Sequence, residues 1–73
     1  MLEWIEVDGS SRVEAVAYDA DNESICVRFP DGVEWLYEAC LPHIWEEFMA
    51  PTTSKGKFIS DVLNHLPHHR YEG

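Results

Sequence analysis

The residues best suited to bind a ligand lie in one short run, Ser54-Lys55-Gly56-Lys57. Serine favours a helix start, because its side-chain oxygen accepts a hydrogen bond from a free backbone N–H of the first turn. The remaining free N–H groups and the two lysines would favour an anion, and Gly56 would let a ligand approach closely. The pattern favours the simpler interpretation, a capped helix that packs on Trp35 or Trp45 while its lysines are solvated.

Trp35 and Tyr37 are a second candidate for a binding surface. They are two residues apart in an alternating segment, so they share one face of a predicted strand. Exposed rings at these positions would stack on the bases of single-stranded nucleic acid. Buried rings would instead belong to the hydrophobic core.

Metal binding and catalysis find little support in the residue pattern. His65, His68 and His69 could bind a metal together with Cys40 or Glu72, but zinc sites usually draw paired ligands at short spacings from two segments. The sequence contains no Gly-rich phosphate loop, no Gly-x-Ser-x-Gly motif and no His-Glu-x-x-His motif. We therefore predict no metal, no cofactor and no enzymatic activity.

Acidic residues dominate the first two-thirds of the chain. Fourteen acidic and five basic residues give a net charge of −9. Twelve acidic and two basic residues precede Phe48, a net charge of −10, whereas the remainder carries +1. Such a surface repels phosphate backbones and attracts basic proteins. The predicted docking face for a basic protein partner consists of Glu14, Asp19, Asp21, Glu23, Glu34 and Glu38.

Three strands are predicted to position these residues. Residues 12–18, 24–29 and 33–37 alternate apolar and polar side chains, and turn-forming residues separate them. The third segment is predicted to be the central strand. Residues 1–9 are expected to form an N-terminal arm or an edge strand.

Two helices are predicted to follow. Ile44, Trp45, Phe48 and Met49 recur at helical spacing after Pro42, and residues 58–66 carry a broad apolar stripe that ends before Pro67. Residues 67–73 are expected to be a tail. The prediction is a single α+β domain over residues 1–73, with an antiparallel three- to four-stranded meander sheet followed by two helices packed on one face.

The cellular setting is predicted from what the sequence lacks. Two cysteines are too few for a disulfide framework, the only apolar run near the start contains acidic residues, and no run reaches transmembrane length. We expect a cytoplasmic protein that does not contact membranes and that is a monomer or a weak homodimer.

The order of several short motifs resembles one known family. The motifs are Ser10-Ser11-Arg12-Val13, Val16-Ala17-Tyr18-Asp19, Val27-Arg28-Phe29, Gly32, Trp35-Leu36-Tyr37, Leu41-Pro42, Ala50 and Ser54-Lys55-Gly56-Lys57-Phe58. Together they resemble the KTSC domain, named for the C-terminal domain of some lysyl-tRNA synthetases. The resemblance implies a small domain that also occurs alone in bacteria and phages, and RNA binding has been suggested for such domains. This chain differs in its acidic first strands, in Trp35, in Ser60 where relatives tend to carry Asn, and in a tail whose basic residue is Arg70.

Two functions follow as expectations. The first is a small acidic, non-enzymatic interaction module that binds a basic protein partner, with mimicry of nucleic-acid charge as one form of that role. The alternative is an RNA-binding module that uses the helix start at Ser54, Lys55, Gly56 and Lys57 together with Trp35 and Tyr37. Salt-dependent binding of labelled RNA would distinguish the two.

Overall fold

A five-stranded antiparallel sheet is the frame of the molecule. The computed structural model describes residues 2–72. Its strands are β1 (Ile5–Glu6), β2 (Ala15–Asp19), β3 (Ser24–Arg28), β4 (Glu34–Tyr37) and β5 (His68–Arg70). Their order in the sheet is their order in the chain, so each strand pairs with its neighbours in sequence. The predicted α+β class is confirmed.

Local turn chemistry explains the first hairpins. At the β2–β3 turn the Asp19 carboxylate accepts hydrogen bonds from the backbone N–H groups of Asp21 and Asn22 at 3.1 and 3.3 Å. At the β3–β4 turn Gly32 has a φ of 88°, a region that glycine adopts without steric cost. Its N–H donates to the Phe29 carbonyl at 2.8 Å. Both turns lie where the sequence predicts them.

One face of the sheet and both helices enclose the core. Directly paired residues share a face, and Val16, Val27 and Trp35 stand opposite one another across β2, β3 and β4. This face packs against the helices. The buried cluster between this face and the helices consists of Val13, Val16, Ile25, Val27, Tyr37, Cys40, Phe48, Ile59 and Leu63.

The helices connect β4 to β5. Helix α1 spans Pro42–Phe48 and helix α2 spans Lys55–Asp61. A 3-10 helix, Leu63–His65, follows α2, so the helix predicted over residues 58–66 starts earlier and is divided. Val62 at the junction has a φ of −121°, outside the helical range. No helix within residues 2–72 has the length and hydropathy to cross a bilayer.

The chain ends add strands that the periodicity did not fully predict. β1 pairs with β2 as an edge strand, one of the two forms expected for residues 1–9. β5 lies within the expected tail and pairs with β4, so the sheet has five strands instead of three or four. Because β5 adds a neighbour beyond β4, the central strand is β3. All three β5 residues are exposed, so backbone pairing rather than side-chain burial defines this strand.

The second face of the sheet is also covered. Ala15 and Ala17 are 1% and 0% exposed although the helices lie on the other face. The guanidinium of Arg28, from this second face, lies 4.5 Å from the centre of the Trp4 ring. Tyr71 donates its backbone N–H to the Glu34 carbonyl at 2.8 Å. Segments from both ends of the chain therefore flank this face.

Candidate functional site

A cleft of about 480 Å³ lies between the helix-covered face of the sheet and α2. We call it the sheet–helix cleft. Its cationic, aromatic and polar lining residues are Arg12, Phe29, Trp35, Tyr37, Ser60, Asn64 and His68.

Two sequence periods bring these residues together. Gly56, Ser60 and Asn64 recur every four residues, which places them in one row along α2 and the 3-10 helix after it. Trp35 and Tyr37 are two residues apart on β4, and β5 places His68 directly opposite Tyr37. The helical row and the aromatic row form opposite walls of the cleft.

Arg12 enters the cleft at Gly56. A Cβ built on Gly56 would lie 3.0 Å from Arg12 Cδ and 3.3 Å from its Nε and Nη1. The glycine therefore leaves space for the arginine side chain. This contact differs from the sequence-based interpretation, in which Gly56 packs on Trp35 or Trp45.

The aromatic wall differs in accessibility along its length. Tyr37 is only 3% exposed, and burial raises the pKa of its phenol. Trp35 is half-buried, and its ring meets the His68 ring edge-on with centroids 5.8 Å apart. His68 Nδ1 lies 2.7 Å from the Leu66 carbonyl oxygen, and because a carbonyl only accepts, this nitrogen carries the hydrogen. Trp35 and His68 thus offer ring surface, whereas Tyr37 belongs to the core.

The two lysines of the predicted anion site point to other partners. Ser54 caps α2, its oxygen accepting from the Lys57 N–H at 3.4 Å. Lys55 Nζ donates to the Phe48 carbonyl at 2.6 Å, and desolvation lowers the pKa of this amine. Lys57 Nζ lies 3.3 Å from Asp61 Oδ2, one turn along the helix. Of the four residues of this run, Gly56 lines the sheet–helix cleft. The cleft lining does not include Ser54, Lys55 or Lys57.

A second concavity lies between the N-terminal segment and the β2–β3 turn, with a volume of about 670 Å³. Its lining combines carboxylates with apolar and aromatic residues. These are Leu2, Glu3, Tyr18, Asp19, Asp21 and Tyr71. We call it the acidic notch. The Asp19 pKa is lowered, first by the 2.8 Å hydrogen bond from Asn22 Nδ2 to its carboxylate, so this side chain is ionised at neutral pH.

The six predicted docking acids fall into two groups at opposite ends of the sheet. Asp19, Asp21 and Glu23 belong to the β2–β3 turn, and Glu38 follows β4 at the same end, where the Cys40 N–H donates to the Glu23 carbonyl. The other two, Glu14 and Glu34, lie at the far end of β2 and β4. Glu34 is already paired with Arg28, with Oε2 2.7 Å from Nε.

The histidines and cysteines considered as metal ligands are dispersed. His68 and His69 are adjacent on β5, so their side chains point to opposite faces of the sheet. His69 Nδ1 lies 3.5 Å from Glu38 Oε2. Among residues 2–72 no three His, Cys, Asp or Glu side chains are grouped to hold a metal. Burial raises the pKa of the Cys26 thiol to about 11 and also raises that of Cys40.

Sequence reasoning did not assign four polar residues of the cleft to a ligand site: Arg12, Ser60, Asn64 and His68, the last of which was considered only as a metal ligand. The four-residue spacing from Gly56 to Asn64 was a usable signal for two of them. Arg12 had no such signal, because it precedes β2 and reaches α2 only through the fold. No sequence signal placed His68 in the cleft either, because the residues of β5 were expected to form a tail.

Comparison with known proteins agrees with the fold. A family model described as KTSC domain matches residues 9–65. A protein of Tsukamurella paurometabola is 30% identical over 54 residues, covering 74% of this chain and 79% of that protein. The crystal structure of a KTSC domain protein from Yersinia pestis superposes with a TM-score of 0.86 at 23% identity, covering 99% of this chain and 100% of that one. The resemblance seen in the sequence is confirmed, and the chain belongs to the KTSC domain family.

Proposed function

We propose that this domain is a non-enzymatic interaction module that binds a basic segment of a protein partner in the acidic notch. The observation that carries the proposal is the joint presence of Glu3, Asp19 and Asp21 around one concavity that Leu2 and Tyr71 also line. Lysine and arginine side chains combine an apolar stem with a charged tip. A notch with carboxylates beside apolar residues matches both parts.

The carboxylates of the notch retain the capacity to bind a cation. Within residues 2–72 no lysine or arginine lies within 4 Å of the Glu3, Asp19 or Asp21 carboxylates that line the notch. Asp19 Oδ2 accepts one hydrogen bond, from Asn22, although a carboxylate oxygen has two lone pairs. Glu23 and Glu38 lie at the same end of the sheet and add to the local negative potential. Their field would accelerate the approach of a basic partner, more so at low salt.

RNA binding is the second candidate, and it has weaker support. Proteins that bind single strands combine a positive groove along the backbone with exposed aromatic rings. Here Lys55 and Lys57 make contacts within the chain, and Tyr37 is buried. In favour of this candidate, Trp35 and Arg12 line the same cleft.

The experiment uses the 73-residue chain labelled with ¹⁵N and a peptide of alternating Gly and Lys. A Gly-Gln peptide of equal length is the neutral probe. We expect the lysine peptide to move the amide signals of Glu3, residues 19–23, Glu38 and Tyr71, with weaker binding as salt rises.

Two double variants distinguish binding at the acidic notch from a general effect of the net charge. Asp21→Asn with Glu23→Gln removes two charges near the notch, and Glu46→Gln with Glu47→Gln removes two from exposed positions on α1. The first variant should weaken binding at least threefold more than the second. Equal weakening by both, or shifts spread over the whole surface, would contradict the proposal. Saturable binding of a single-stranded RNA that weakens with salt, together with no response to the lysine peptide, would favour the alternative.

A further inference from the structure

We propose that the sheet–helix cleft binds a small ligand that joins one anionic group to a planar ring, the chemistry of a nucleoside monophosphate. This site is separate from the acidic notch, so the proposal goes beyond the function proposed above. Its volume of about 480 Å³ lies within the range of small-molecule sites. Its lining supplies one cation, an accessible aromatic wall and two polar side chains.

Arg12 is the cation for the anionic group. Its guanidinium presents five N–H donors in a planar fork that matches two phosphate or carboxylate oxygens. Arg12 is exposed, and it forms no ion pair with any of residues 2–72. Gly56 leaves room for the end of the arginine side chain, from Cδ to Nη1, against α2.

The number of available cations limits the charge of the ligand. Arg28 is paired with Glu34, Lys57 with Asp61, and Lys55 donates to the Phe48 carbonyl. Arg70 stands opposite Trp35 on the neighbouring strand but is not part of the cleft lining. A cleft with one lining arginine on a chain of net charge −9 favours a single anionic group over a polyanion.

Trp35 and His68 form the wall for the ring. Their rings meet at an interplanar angle of 60°, so together they form a corner rather than a flat stack. The hydrogen bond to Leu66 fixes the orientation of the imidazole. A planar ligand ring placed against the indole would gain stacking contact and meet the imidazole at its edge.

Ser60 and Asn64 supply polar groups on the opposite wall. Neither side chain makes a hydrogen bond with another part of residues 2–72, and both residues are exposed. The asparagine amide offers two hydrogen-bond donors and an acceptor oxygen, and the serine hydroxyl can donate or accept. This combination matches the edge of a heterocycle, which carries donors and acceptors side by side. A plain aromatic ring would leave these groups without partners.

The test is a titration of the ¹⁵N-labelled full chain at fixed low ionic strength. The probes are adenosine 5′-monophosphate, adenosine and inorganic phosphate. We expect the monophosphate to bind at least tenfold more tightly than either part. The shifted amides should cluster at residues 12–13, 35–37, 56–64 and 68, and Trp35 should change its fluorescence.

Two variants with the same charge change define the role of Arg12. Arg12→Gln should weaken monophosphate binding at least tenfold, as expected for a lost hydrogen-bonded charge pair. Lys57→Gln on the outer side of α2 should change binding less than twofold. If Arg12→Gln unfolds, Gly56→Ala replaces it, because the added methyl group displaces the arginine stem.

Several outcomes would overturn the proposal. If phosphate alone or adenosine alone bound as tightly as the monophosphate, the cleft would not require a ligand that combines an anionic group with a ring. Equal effects of Arg12→Gln and Lys57→Gln would show an unspecific charge effect. No binding to the folded chain, or shifts confined to the acidic notch, would reject the site. A single-stranded oligonucleotide binding more than tenfold tighter than the monophosphate at the same amides would replace it with an RNA site.

Discussion

Arg28 and Glu34 form a side-chain ion pair between adjacent strands, with Nε 2.7 Å from Oε2. Both side chains are partly shielded from water, at 32% and 24% exposure, and Arg28 also stacks over Trp4. We expect a double-mutant cycle of Arg28→Ala and Glu34→Ala to give a coupling energy of about 0.5–1 kcal/mol. Arg28→Ala alone should cost more than Glu34→Ala, because it also removes the cation–π contact. Urea unfolding gives the free energy of unfolding of the wild type, both single variants and the double variant. A coupling energy near zero would contradict the expectation.

Ser54 is expected to stabilise α2 through its cap. Ser54→Ala removes the acceptor of the Lys57 N–H and should lower the free energy of unfolding by about 0.5–1 kcal/mol. The 3.4 Å distance places the effect in the lower part of the usual range for caps. Ser60→Ala is the matched control, since Ser60 is an exposed serine on the same helix. It should be neutral or slightly stabilising, because alanine has the higher helix propensity. Equal losses from both variants would exclude a capping role.

Gly56→Ala should report on the contact with Arg12. Alanine is favoured over glycine within a helix by about 0.5–1 kcal/mol, but here its methyl group meets the arginine stem at 3.0 Å. The substitution should therefore stabilise the wild-type chain less than it stabilises an Arg12→Ala chain. Thermal unfolding of the wild type, Gly56→Ala, Arg12→Ala and the double variant gives the stability change caused by Gly56→Ala in each background. The same gain in both backgrounds would mean that Arg12 does not occupy this space in solution.

The Cys26 thiol should make stability fall at alkaline pH. Burial raises its pKa from 9.0 to about 11, so between these values the folded chain keeps a proton that the unfolded chain releases. The free energy of unfolding should therefore be unaffected below about pH 9 and decrease as pH rises through 11. A two-unit shift corresponds to about 2.7 kcal/mol at the upper limit.

The control for this pH dependence is Cys26→Ala. The raised pKa values of Cys40, Tyr18 and Tyr37 act in the same direction, so the variant should show a shallower decrease, not a flat line. Urea unfolding under reducing conditions from pH 7 to 11 measures both proteins. An identical slope would mean that this thiol ionises normally in the folded chain.

Much of the sheet could be predicted from local sequence signals. Alternation identified β2, β3 and β4, because each has one face turned to the helices and a regular pleat. The turns before Ser24 and Val33 were predicted from residues that favour tight reversal. The apolar stripe over residues 58–66 did not reveal the change from α to 3-10 geometry at Val62. Both geometries keep residues three apart on one side, so burial alone does not distinguish them.

The cleft was harder to predict, because its lining comes from five separate segments of the chain. Trp35, Tyr37 and Gly56 were named from local patterns, yet their common site depends on how α2 lies across β4. His68 joins them through β5, a strand with three exposed residues and no hydrophobic period. Such a strand is specified by the pairing edge of β4 and by Pro67, whose carbonyl accepts the Glu38 N–H at 2.8 Å.

The pairing of β5 with β4 also closes a long loop of the chain. Residues 38–67 form a closed loop that contains both helices and whose two ends are joined at the Glu38–Pro67 hydrogen bond. Segments with few buried apolar contacts open locally at the lowest free energies, and all three β5 residues are exposed. Detachment of β5 would carry His68 away from Trp35, whereas the pairing of Val16 with Val27 on β2 and β3 does not involve β5. The cleft would then lose part of its aromatic wall while the β2–β3 pairing keeps its register.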